Sequence, residues 1–450
     1  MVLTKRNLHG GKRVRHLCIS AFLLLLALAH PAHAYLDPGT GNALVYLFIS
    51  LIGALVYASK SVFYALLKGL GKKTNTPTAP GADAPKAQKT LLIFNEGKNY
   101  WNDFIPIVQA LIQRKFHFQY YSMDVHDPGL TIDSPYMHSK YIGTGTWAYA
   151  KLNKAKADIM LSTTPNIGAS GYPVKRSPAV KNLIHVFHSV NCIAFYHRES
   201  LDKYDTVLLC GAFQEASIRK VEAIRHLSAK KLVLAGLPYF DVLASKMPAH
   251  LPPTNGKTVL IAPSWGTKSC IFLHGIDFIK KLAEAGFDII LRPHPQSLLV
   301  EQKLIADMHK NLDSYSNIIW DYERDGTRSM ERSDLLISDV SAIRMDYALL
   351  YQRPVITLDM PVNDPEQWEL GDIGEAWIDT VVDRIGKKLD KSTIGNIVEE
   401  TKTLLKNFRP EDLAAFRDQT VEHFRHSGEF IADYLIAELS ADGQTQSQEA

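Results

Sequence analysis

The chain has 450 residues, too many for one compact core, so two or three domains are expected. Its 46% hydrophobic and 22% charged residues are ordinary for a globular protein, and a net charge of +3 excludes the basic footprint of a nucleic-acid binder. The four cysteines, Cys18, Cys192, Cys210 and Cys270, share no CxxC spacing and read as buried or free thiols rather than a disulfide or zinc set.

The first seventy-odd residues concern a membrane. Lys5, Arg6, Lys12, Arg13 and Arg15 form a basic start, Cys18 to Ala29 is apolar, and Ala32-His33-Ala34 resembles a cleavage site. Residues 1–34 thus read as a signal peptide or a first membrane segment. Within 35–72 a Pro38-Gly39 turn leads into an apolar run, Ala43 to Leu67, that is interrupted only by Lys60 and suits one transmembrane helix. Lys68, Lys72 and Lys73 flank its C-terminal side, which predicts a bacterial inner-membrane protein whose main body is cytoplasmic. Export of everything after a cleaved signal is the alternative; the run's length and its lysine brackets weigh against it. Residues 73–88, rich in Thr, Pro, Ala, Gly and Lys, read as a flexible linker.

From 89 onward, short apolar runs alternate with helical spacing. Strands are predicted at Leu91 to Phe94, Phe116 to Tyr121, Asp158 to Ser162, Leu183 to Phe187, Thr206 to Cys210 and Lys231 to Ala235, with a helix over Asp103 to Arg114. Asn255-Gly256 marks a restart. Strands follow at Thr258 to Ala262, Phe287 to Leu291, Ile318 to Trp320, Leu335 to Ile337 and Pro354 to Leu358. Helices are predicted at Ile276 to Ala285, Leu304 to Leu312 and Ala342 to Leu350. This alternation predicts an α/β protein with two parallel sheets, 89–250 and 251–439: the twin-Rossmann architecture of GT-B transferases. The stretch Ile394 to Leu439 reads as amphipathic helix packing back across the first unit, and 440–450 as a disordered tail.

Ligands of open α/β sheets bind beyond the carboxyl ends of the strands, and four such ends carry chemistry. Leu291 runs into Arg292-Pro293-His294-Pro295, a rigid turn offering a fork for phosphate and a proton donor. Leu335-Leu336-Ile337 runs into Ser338-Asp339-Val340-Ser341 at the start of a helix, where N–H groups, the helix dipole and hydroxyls favour anions. Plain capping explains one such residue better than three. His188 ends its strand and is the catalytic candidate, whereas His185 is expected to be structural. Pro263 and Ser264 sit in a tight turn that a nucleotide could approach.

In this order and spacing the segments resemble the CDP-glycerol glycerophosphotransferase family, which includes teichoic-acid polymerases and primases. The matching residues are His188-Ser189, Gly236-Leu237-Pro238 with Asp241, Ala262-Pro263-Ser264-Trp265, Arg292-Pro293-His294-Pro295, Ser338-Asp339-Val340-Ser341, Met345-Asp346-Tyr347 and Arg353-Pro354. The departures are Ser189 for the glycine after the histidine, and Val340 and Ala342 for a tyrosine and a serine. The resemblance implies transfer of a polyol phosphate from a CDP-alcohol donor to a lipid-linked or glycan acceptor, with release of CMP. His188 would be the base. Arg292 and His294 would hold the diphosphate. Pro263, Ser264, Ser338, Asp339, Ser341 and Asp346 would bind or orient the donor. Neither a cofactor nor a metal is implied. Two other functions fit the same pattern: a GT-B glycosyltransferase using a nucleotide sugar, and a non-catalytic protein that senses a CDP-alcohol or a lipid.

Overall fold

The computed structural model describes residues 89–445 apart from 249–250, 252–254, 268, 324 and 361–364. The signal peptide, membrane helix and linker expected in 1–88 lie outside the described residues, among which no helix is long and apolar enough to cross a membrane.

The first sheet has seven strands: β1 (Leu91–Asn95), β2 (Phe118–Ser122), β3 (Met137–Tyr141), β4 (Ala157–Ser162), β5 (Val180–Val186), β6 (Thr206–Leu209) and β7 (Lys231–Leu234). Their order is β3-β2-β1-β4-β5-β6-β7, with every pairing parallel. The second sheet has six: β8 (Thr258–Ile261), β9 (Asp288–Leu291), β10 (Ile318–Trp320), β11 (Leu335–Ser338), β12 (Val355–Leu358) and β13 (Gly386–Leu389). It repeats the doubly wound pattern in the order β10-β9-β8-β11-β12-β13, again all parallel. The continuous apolar runs arise because each sheet is covered on both faces. In β1, Leu91 and Ile93 enter one core while Leu92 and Phe94 enter the other. That second core also takes Leu260, Leu336 and Val355 from the second sheet, so one apolar layer joins the two halves.

Helix α1 (Trp101–Gln113) covers the first sheet with Phe104, Ile107, Val108 and Leu111. The strand expected to start at Phe116 starts at Phe118, because the helix closes there: Lys115 is left-handed at φ 56 and the Phe116 N–H returns to the Leu111 carbonyl. Two further helices follow in the chain: α2 (Glu215–Ile224) joins β6 to β7, and α3 (Pro238–Lys246) lies between β7 and β8.

Two straps bind the halves. One is the excursion between β12 and β13. Arg225, just past α2, pairs with Glu369, with Asp372 at 2.6 Å and with Asp202 at 2.9 Å. Nearby, Trp377 stacks on Phe213 with ring centres 3.8 Å apart. The other is the C-terminal segment. Helix α4 (Ile343–Tyr351) of the second half packs on α5 (Pro410–Thr420), and the chain then crosses to lay α6 (Ser427–Thr445) along α1. At the crossing the Glu422 N–H reaches the Cys210 carbonyl, and the Ser427 hydroxyl accepts from the Leu237 N–H at 2.9 Å. A methyl group on Gly211 would sit 1.9 Å from the Thr420 carbonyl oxygen, so only glycine fits. The tail expected to be disordered from Ser440 is helical to Thr445. Ser440 continues the helix, its hydroxyl donating to the Ile436 carbonyl at 2.8 Å.

Candidate active site

The first half contributes a histidine in an aromatic frame. β5 ends at Val186, and His188 follows in the loop. Tyr100 meets its ring edge-on at 5.6 Å, and Tyr196 lies parallel to it at 6.4 Å. Its Nδ1 is buried and has no hydrogen-bond partner among the described residues. Burial pushes the His188 pKa below the usual histidine value, so the ring is neutral at pH 7 and can accept a proton. His185 is fully buried, bonded through Nε2 to the Tyr196 hydroxyl at 3.2 Å, and pushed down to about 3 by burial and by His188. It holds Tyr196, and Tyr196 in turn frames His188.

The loop after β8 is built by the acidic motif after β11. Asp339, without exposed surface, accepts from the Ser264 N–H with both oxygens, at 3.0 and 3.1 Å, and from the Cys270 N–H at 2.9 Å. Ser338 donates to the Ala262 carbonyl at 2.6 Å. These bonds shape the Pro263–Trp265 turn and occupy the two side chains that the sequence offered as phosphate contacts. Ser341 stays half-exposed, and its hydroxyl accepts from the Ile343 N–H at 3.5 Å.

His294 stands beside this turn, its ring 6.3 Å from that of Trp265. Its Nδ1 accepts from the Gln296 N–H at 3.1 Å, which puts the proton on Nε2 and leaves a donor for a ligand. Arg292, just past β9, reaches the end of β10. It pairs with Asp321 at 2.6 Å and packs on Gly326, while Asp321 also takes the Ser329 hydroxyl.

Asp346 links the halves electrostatically. It lies in the first turn of α4, and burial lifts its carboxyl to about 7. Asp103, in the first turn of α1, is raised well above the carboxylate range by burial and then by Asp346. Each acid keeps one oxygen without a partner among the described residues. Asp103 also acts on Tyr196, and both acids act on Tyr239 of α3, so the pair sits within the field of the histidine frame. Sequence reading missed Asp103, Tyr100 and Tyr196. Asp103 was visible only as a helix-start acid, and the tyrosines carry no motif. Among the described residues no group of three or more His, Cys, Asp or Glu side chains could hold a metal ion.

Two doubly wound sheets with chemistry at their strand ends, joined by a C-terminal crossing helix, define an α/β protein of GT-B-like architecture. Solved structures share this fold. The wall teichoic acid polymerase TagF is 16% identical, covering 79% of this chain and 90% of that one at a TM-score of 0.50. A putative UDP-N-acetylglucosamine 2-epimerase from Listeria monocytogenes is 12% identical over 80% and 97%, at 0.52. The UDP-GlcNAc 2-epimerase of Methanocaldococcus jannaschii, in complex with UDP-GlcNAc and UDP, is 12% identical over 77% and 99%, at 0.50. No curated protein matches the chain. Residues 195–364 match the CDP-Glycerol:Poly(glycerophosphate) glycerophosphotransferase model. Over that stretch the chain is similar to this family. The match holds the turns after β8, β9 and β11 and begins just past His188.

Proposed function

We propose that the chain moves a polyol phosphate from CDP-glycerol or a related CDP-alcohol to a hydroxyl of a lipid-linked or glycan acceptor, in synthesis of a teichoic-acid-like envelope polymer. The observation that carries this is His188, held below the usual histidine pKa by burial, framed by tyrosines and with an Nδ1 unpartnered among the described residues, in a chain whose residues 195–364 match the family model. The acceptor hydroxyl gives its proton to His188 while its oxygen attacks the polyol-bearing phosphorus. That O–P bond forms as the bond from phosphorus to the bridging oxygen breaks, and the bridging oxygen leaves on CMP. His294, with its proton on Nε2, donates to the phosphate that leaves. The N–H groups at the start of α4, with Ser341, face the donor's charge, and Asp346 orients it. The turn held by Asp339 and Ser338 presents Pro263 and Ser264 to the nucleotide. The apolar run in 35–72 would anchor this chemistry to the cytoplasmic face of the inner membrane, where CDP-alcohols and lipid-linked acceptors meet.

The test is CMP release from CDP-glycerol and CDP-ribitol by detergent-solubilised protein, with membrane lipid extract as acceptor. Release by the wild type that is abolished in His188→Ala supports the transfer and the base. Release of UDP, UMP or GDP from nucleotide sugars instead, with no CMP, would replace it with sugar transfer.

A further inference from the structure

Arg344 is an oddity in the second half. It lies in the first turn of α4 and has no exposed surface, and the next residues of the helix, Met345 and Tyr347 to Tyr351, belong to the apolar core. Its Nε donates to the Ser341 carbonyl and its Nη1 to the Thr357 hydroxyl, each at 3.3 Å and each a neutral acceptor. Nη2 has no partner among the described residues, and no carboxylate there lies within ion-pairing distance. The nearest acidic influences are Asp379 and Asp339, and Asp339 already serves the Ser264 and Cys270 N–H groups.

An arginine keeps its charge at any ordinary pH, so it cannot escape burial by losing a proton as lysine can. A desolvated, unpaired guanidinium costs several kcal/mol, and leucine or methionine would fill the same space without that cost. The location gives the charge a purpose. Ser338 and Thr357 are register partners at the carboxyl ends of β11 and β12. Arg344 therefore sits beneath the strand ends and the start of a nine-residue helix, where backbone N–H groups already favour an anion. The segment that it touches, Val340 to Ile343, is half-exposed throughout, so a modest displacement of this loop would uncover the guanidinium.

We propose that Arg344 is an oxyanion-binding residue, whose guanidinium takes a phosphate oxygen of a nucleoside diphosphate when the Val340–Ile343 loop moves aside. That the diphosphate belongs to a CDP-alcohol rests on the function proposed above; the need for an oxyanion does not. The bound phosphate supplies the negative partner that the fold omits.

The experiment measures thermal stability of the full detergent-solubilised chain against inorganic pyrophosphate and CDP, with sodium chloride matched for ionic strength. The wild type should gain stability with both probes. Arg344→Met should be as stable as the wild type or more so without ligand, yet bind pyrophosphate at least about tenfold more weakly. Arg344→Gln carries the same test should the methionine variant not fold. Unchanged pyrophosphate affinity in the variant, or no response of the wild type to either probe, overturns the proposal. If pyrophosphate binding depends on Arg344 while CDP-glycerol is not turned over, the anion site stands and the donor assignment falls. If CDP-glycerol is turned over and the variant keeps its pyrophosphate affinity, the anion site falls and the function stands.

Discussion

Replacing Asp346 by asparagine should stabilise the protein in a pH-dependent way. Burial raises the Asp346 carboxyl from an ordinary 3.8 to about 7. Below pH 3.8 the group is neutral in both folded and unfolded chains and costs nothing. As pH rises toward 7 the unfolded chain loses the proton while the folded one keeps it, so stability falls, and above 7 the loss levels off at ~4 kcal/mol. Asparagine never ionises and removes this dependence, but its amide leaves donors unmet in a site where one oxygen already lacks a partner, at ~1–3 kcal/mol. Asp346→Asn should therefore gain about 3 kcal/mol relative to the wild type between pH 5 and pH 8, from equal or lower stability at the acid end to higher at the alkaline end. Asp103 adds to the trend, since losing its charged neighbour lets its own pKa fall. Denaturant titrations of both proteins at pH 5, 6.5 and 8 measure it. A stability difference that stays constant across that range refutes a buried, protonated Asp346.

Three other perturbations have definite outcomes. A methyl at Gly211 would sit 1.9 Å from the Thr420 carbonyl oxygen, and one at Gly236 would sit 2.2 Å from that of Glu422. Each Gly→Ala change should lower stability by ~2–4 kcal/mol in denaturant titration, while Gly395→Ala, with open space around it, should be close to neutral. Arg225→Met strands Glu369, which is only 1% exposed, and should cost ~3–5 kcal/mol; limited proteolysis should show earlier cleavage in 365–380, and Arg225→Lys should recover only part of the loss. Because burial lowers the His188 pKa, the rising limb of kcat/KM for CMP release should have its midpoint below the 6.5 of an ordinary histidine. A midpoint above 6.5 would assign the base to another group.

The buried centre of each sheet was legible in the sequence, as were the edge strands β7 and β10, whereas the edges β3 and β13 were not. β1, β8, β11, β12 and the second half of β5 read as strands because a parallel strand covered on both faces is largely apolar. The edge strands β3 (Met-His-Ser-Lys-Tyr) and β13 (Gly-Lys-Lys-Leu) carry largely polar side chains, since each meets only one neighbour. The strand-end motifs were found by residue type, yet residue type did not tell a ligand contact from a brace. Ser338 and Asp339 hold the 262–270 loop, and Arg292 holds Asp321, through contacts formed across 29 to 76 residues of chain. Arg344 went unnoticed for the opposite reason: one arginine in a helix carries no pattern until its burial is known.

The crossing of the C-terminal segment explains why the candidate site lies where His188 is. Seven parallel strands offer seven carboxyl ends, and the crossing segment occupies those of β6 and β7. The Cys210 carbonyl bonds to the Glu422 N–H, Gly211 and Gly236 abut the carbonyls of Thr420 and Glu422, and Leu237 bonds to Ser427. Asp241 completes the closure by accepting from the Gly428 N–H at 2.8 Å. The ends of β1 to β5 remain, and the strand order reverses between β1 and β4. A doubly wound sheet opens its crevice at such a reversal, because the connections leave toward opposite faces. Glu96 and Tyr100 follow β1, Thr164 follows β4 and His188 follows β5, so the frame around the histidine is the part of the sheet that the crossing leaves open. The glycines that admit the C-terminal segment thus also fix the position of the site, and a substitution that displaced the crossing at Gly211 would uncover the ends of β6 and β7 without moving His188.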